Sequence, residues 1–83
     1  MRIVIARHFG NPKDYVFCVP ETISDIHPGD ELMVETAKGV NTVFAHSGIV
    51  SISTDQLETL APMWGCKLPL AHVIRKQVSK NIF

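Results

Sequence analysis

The chain has 83 residues, 46% of them apolar and 19% charged, and its eight basic and eight acidic side chains cancel to zero. That length holds one domain, residues 1–83, without a second core, and the composition is that of a globular chain and not a disordered one. Zero net charge argues against a dedicated nucleic-acid binder, whose affinity rests largely on a basic excess that displaces counterions.

The opening apolar run, Ile3-Val4-Ile5-Ala6, is too short for a signal-peptide core or a membrane span. Two widely separated cysteines, Cys18 and Cys66, give neither a disulfide framework nor a metal-binding spacing. Together these features predict a reduced, cytoplasmic protein that does not engage a membrane.

Ile3 to His8 alternates branched residues and reads as a strand. Gly10-Asn11-Pro12-Lys13-Asp14 breaks it, and Tyr15 to Val19 forms a second strand that Pro20 stops. Tyr15, Phe17 and Val19 share one face of that strand, and Val16 and Cys18 the other. Glu21 to His27 then crosses polar ground to the turn Pro28-Gly29-Asp30. This turn launches Glu31-Leu32-Met33-Val34-Glu35-Thr36, which Lys38-Gly39 reverses into Val40 to Ala45.

A three-residue loop, Ala37-Lys38-Gly39, with Gly39 at positive φ, sets Thr36 opposite Val40, Val34 opposite Thr42 and Leu32 opposite Phe44. In that register Leu32, Val34, Val40 and Phe44 face the core, and Met33, Glu35, Asn41 and Val43 face outward without a basic stripe or an aromatic platform. Ile49 to Ile52 gives a further short strand after the turn Ser47-Gly48. Ser53 and Gln56 form a capping pattern, and Leu57, Leu60, Ala61 and Trp64 follow at helical spacing until Pro62 and Gly65 end the helix. Its apolar stripe is expected to plug one end of a barrel. Leu68 to Val78 returns to extended character.

These elements predict a mostly β fold, a small SH3-like or related β-barrel of five or six short strands with one short helix near residues 54–64. Ile3, Ile5, Phe17, Val19, Leu57, Leu60 and Val73 are expected to complete the core.

The strand Tyr15-Val16-Phe17-Cys18-Val19-Pro20, the spacer after it, and Gly29-Asp30-Glu31-Leu32-Met33-Val34 with Gly39 resemble the amino-terminal small barrel of the primosomal helicase PriA. They are similar also to PSP1-type barrel domains. The resemblance spans about residues 3–45. It implies a small barrel and a role with nucleic acid, since the PriA domain recognises the end of a DNA strand. It carries over no helicase motor and no binding residue.

Four histidines, His8, His27, His46 and His72, lie on different elements without a ligand spacing, so no metal is expected. Cys66 follows the helix, where carbonyl ends do not activate a thiol. Glu31 and Glu35 lie about 13 Å apart along an extended strand, too far for an acid–base pair. No phosphate loop or nucleophile elbow is present, and nothing calls for a cofactor.

The sequence therefore predicts a non-catalytic binding or assembly module that recognises another protein or its own copy. The mean hydropathy of +0.15 supports this, because so small a domain exposes much of its surface. The alternative is a small nucleic-acid-binding accessory protein. Its contacts would come from Arg2, Arg7, Lys67, Arg75, Lys76 and Lys80, with Tyr15 or Phe9 offering a stacking face.

Overall fold

The computed structural model describes residues 1–65 and 70–77. Strands β1 (Arg2–His8), β2 (Asp14–Cys18), β3 (Glu31–Thr36), β4 (Gly39–Ala45), β5 (Val50–Ser51) and β6 (His72–Lys76) join one helix, α1 (Thr54–Trp64). The sheet runs β2-β6-β3-β4-β1-β5, and an added β2–β1 pairing closes five of these strands into a barrel. β5 is an appendage on β1. All pairings are antiparallel except β2–β6, a parallel seam held by the single pair Cys18 and His72.

Side chains alternate across the barrel wall as the pleat requires. Val4, Ala6, Phe17, Val19, Leu32, Val34, Val43, Ala45 and Val73 form the interior. Ile3 and Val16 point the other way and join Leu57 and Leu70 in a second cluster, flanked by Ile5, Cys18 and Ile52. Helix α1 thus covers the outer face of the β1–β2 pair instead of plugging the barrel. It inserts Leu57 and Ala61, both buried, while Leu60 is half-buried and Met63 is exposed. The side chain of Trp64, placed on this stripe by periodicity, lies outside the described residues.

The helix begins as its sequence predicts. Ser53 Oγ accepts from the Gln56 amide at 3.1 Å, and the Ser53 amide donates to Gln56 Oε1 at 2.9 Å. Gly65, in the left-handed region, ends it by donating its amide to Pro62 O.

The plug comes from the β2–β3 connection. Ile23 and Ile26, isolated apolar residues in the supposedly polar stretch, are buried in the interior cluster. Arg2 holds this connection in place, its guanidinium donating to the carbonyls of Pro20 and Ile23. A Cβ at Gly48 would lie 3.1 Å from the carbonyl oxygen of Ile26, a tight contact, so the glycine lets the turn after β4 sit close against the plug.

The central hairpin is displaced by one residue from the expected register. Thr36 pairs with Gly39, Val34 with Asn41 and Leu32 with Val43. Leu32 and Val34 are inward as expected. Val40 is 53% exposed and Phe44 only partly buried, and Val43 and Ala45 take their inward places.

The Thr36 hydroxyl supports this register: it accepts from the Lys38 amide at 3.2 Å and donates to the Gly39 carbonyl at 3.1 Å. These bonds close a two-residue loop, with Gly39 at φ 115° joining the ladder instead of the loop.

The carboxyl-terminal strand is also shorter and less regular than its alternation implied. β6 pairs Met33 with Arg75 and Val34 with Val73, so Ile74 is the extra residue of a bulge and is exposed. Leu68 and Val78, the expected limits of this strand, lie outside the described residues. β5 is confined to Val50 and Ser51.

The register makes a direct prediction. Val43→Ala should lower the unfolding free energy by about 2 kcal/mol, since it empties a fully buried position. Val40→Ala should change it by less than about 0.5 kcal/mol, as exposed positions do. Urea unfolding of the two variants reads the difference, and the expected three-residue loop would reverse the order.

Candidate functional site

Of the six cations predicted to contact nucleic acid, the four among the described residues, Arg2, Arg7, Arg75 and Lys76, are not gathered on one face. Arg2 is committed to the carbonyls beneath the barrel. Arg7 Nε lies 2.5 Å from Asp14 Oδ1, and His46 Nδ1 lies 3.2 Å from the same oxygen. This cluster ties together the end of β1, the start of β2 and the residue after β4. Lys76 Nζ lies 3.3 Å from Asp30 and 3.7 Å from Asp25. Arg75 is exposed on β6 and forms no ion pair among the described residues. Lys67 and Lys80 lie outside the described residues, as does Cys66.

The titrating groups are set for structure. Arg7 donates to Asp14 and holds its carboxyl below the usual range, with His46 adding to the effect. The His27 amide donates to Asp30 at 2.9 Å and, with Lys76, lowers its pKa as well. Burial pushes the Cys18 thiol up, which is opposite to the activation a nucleophilic cysteine needs. Among the described residues no three His, Cys, Asp or Glu side chains converge on a metal-sized site.

Two surfaces remain that the fold itself does not consume. The first is the outer face of the β3–β4 pair. The one-residue shift turns Val40, Thr42 and Phe44 outward, beside Met33. Phe9, just past the end of β1, is 83% exposed and lies against Phe44, with ring centroids 6.0 Å apart. Expected to show no aromatic platform, this face carries a phenylalanine pair, which was hidden because its aromatic member on β4 had been assigned to the core. Glu31, Glu35 and Arg75 border the apolar strip, since Glu31 pairs with Phe44, Glu35 with Val40 and Arg75 with Met33.

The second is the open mouth of the barrel, opposite the Ile23 and Ile26 plug. A cavity of about 710 Å³ opens between the β1–β2 loop and the β3–β4 turn and extends along β2 to Gly65, Leu70 and Ala71. His8, Tyr15 and Phe17 supply its aromatic wall, and Thr36, Lys38 and Asn41 its polar rim. His8 meets Tyr15 edge-on at 5.2 Å and Phe17 at 6.2 Å. Asn41, expected outside, points to this mouth because of the register shift. His8 gave no signal in the sequence beyond its place at the end of a strand.

The Asp30 contacts set a pH dependence. A carboxyl whose folded pKa lies below its unfolded value, about 3.9, contributes stability that is complete above that value. The contribution is lost as pH falls through the folded pKa. Thermal unfolding between about pH 3 and pH 6 should therefore show a steeper acid loss for the wild type than for Asp30→Asn, which removes the titrating charge. Equal slopes would mean that Asp30 contributes nothing to acid stability. Comparison with known protein families, with characterised proteins and with solved structures finds no match to this chain.

Proposed function

We propose that this chain is a non-catalytic binding and assembly module that associates with a second copy of itself through the outer face of β3 and β4. The observation that carries this reading is Phe9, 83% exposed and resting on Phe44, beside the exposed Val40 and the half-buried Met33. Exposed apolar side chains gathered on one sheet face of so small a domain cost solubility unless something covers them.

A second copy suits the border of the strip. Glu31 and Glu35 flank Met33 along β3 and Arg75 lies beside it on β6, so a two-fold axis through this edge of the face would set each copy's Arg75 toward the other's glutamates, as self-complementary packing requires. Aromatic and methionine side chains at the centre with charges at the rim are the usual composition of such an interface. The lowered carboxyl pKa values and the raised thiol pKa favour a structural over a catalytic use of these groups.

Light scattering coupled to size exclusion tests this reading. The wild type should run as a dimer at micromolar concentration. The double variant Phe9→Ser with Val40→Ser should weaken association by at least about tenfold, equivalent to roughly 1.4 kcal/mol. Both residues are exposed, so the thermal midpoint should stay put and separate lost association from lost folding. A wild type that remains a monomer at high concentration overturns the proposal. If that monomer binds single-stranded DNA or RNA in a salt-dependent way, the nucleic-acid reading takes its place.

A further inference from the structure

The geometry points to the mouth of the barrel as a binding site for a small planar aromatic ring that bears an anionic group. This site is separate from the association surface and uses none of its side chains.

Several features converge there. Closed barrels of this size normally fill their interior with side chains. Here the plugged end does so, while at the other end a cavity of about 710 Å³ opens and continues over the rim to Val16, Gly65, Leu70 and Ala71, a volume within the range that small-molecule sites occupy.

Its wall is aromatic on one side. His8 stands edge-on to both Tyr15 and Phe17; Phe17 is buried behind it, while the partly buried His8 and Tyr15 rings are left to meet a further flat group. Tyr15 is only partly buried, so its ring reaches the opening.

The charge at the opening is positive. Lys13 Nζ lies 5.1 Å from the centroid of the Tyr15 ring, and Lys38 lines the opposite rim on the β3–β4 turn. No acidic side chain lines the cavity among the described residues, and Asp14, next to Tyr15 in the chain, is matched by Arg7 and His46.

Asn41 adds an amide that can donate and accept at the rim. A ring entering between the turn and Tyr15 would rest on the His8 and Tyr15 rings, and its acidic group would sit between the two lysines. The ligand is therefore an aromatic phosphate or an aromatic carboxylate.

Two-dimensional amide NMR titration tests the assignment, with adenosine 5′-monophosphate and indole-3-acetate as separate probes that distinguish phosphate from carboxylate. At least one probe should give saturable shifts confined to His8, Asn11, Tyr15, Lys38, Asn41 and their neighbours. Adenosine and inorganic phosphate, each lacking half of the chemistry, should bind at least about fivefold more weakly than the monophosphate if that is the preferred probe.

The double variant Lys13→Ala with Lys38→Ala should lose about tenfold in affinity, because both cations are solvent-exposed and each contributes only modestly. Both positions lie outside the core, so the spectrum should otherwise be preserved.

Shifts scattered over the surface, no saturation by either probe, or inorganic phosphate binding as well as the nucleotide would overturn the site. Full affinity in the double variant would do the same. The Phe9→Ser with Val40→Ser variant should bind the preferred probe like the wild type, so failure of the association surface and failure of this site are read separately.

Discussion

The structure depends on β1 being satisfied on both edges and covered on both faces. One edge pairs with β2 along its length, from Ile3 against Cys18 to Arg7 against Asp14. The other edge is divided. Ala6 to His8 pair with β4, and Arg2 and Ile3 pair with β5. Between these partners the ladder would leave backbone groups of Ile5 unmatched. The turn after β4 fills the gap: the Ile5 amide donates to Ser47 Oγ at 3.1 Å, and the Ile5 carbonyl accepts from the His46 amide at 2.7 Å. A residue without a side-chain acceptor at position 47 would leave a donor unpaired where the sheet divides.

Because β1 is covered on both faces, the chain has two apolar clusters separated by one strand layer. Val4 and Ala6 serve the interior, and Ile3 and Ile5 hold the helix. The near-continuous apolar run at the start of the chain follows from this, since a strand with one wet face would alternate with polar residues. The same arrangement distributes the charged groups. Arg2 anchors the plug, Arg7 and His46 converge on Asp14 near the mouth, and Lys76 closes on Asp30 and Asp25 at the plugged end. Cations that look available along the chain are largely occupied in joining loops to strands.

The legible parts of the sequence were those set by neighbouring residues. The capping box at Ser53 and Gln56, the Gly29-Asp30 turn and the alternation of β1 and β2 each contain their own cause within a few positions, and each stands in the structure. The register of the hairpin did not, because β4 offers apolar residues in both phases, Val40 and Phe44 in one and Val43 and Ala45 in the other. Periodicity has no preference between them. The Thr36 hydroxyl supports the shorter turn, and side-chain bonds within a turn leave no trace in a hydropathy pattern. The plug was hidden for a related reason, since Ile23 and Ile26 have no periodic neighbours to mark them as core. The mouth could not be read because its lining comes from three separate stretches that only barrel closure brings together.

The double phasing of β4 also explains where the apolar excess of this chain resides. A barrel of five strands has a small interior, and Val4, Ala6, Phe17, Leu32, Val34, Val43 and Val73 are buried there to 3% exposure or less. At the level of that packed layer, below the open mouth, no further large side chain can enter without strain. Whichever phase of β4 turned inward, the other had to leave the interior, so some apolar side chains on the outer face followed once both phases were apolar. In the register adopted, the inward places go to Val43 and Ala45, small enough to lie against β1, while the larger Phe44 turns out and meets Phe9. The strip we assign to association is thus the part of β4 that the interior has no volume to accept. Its exposure and the filled core are two results of one choice of register.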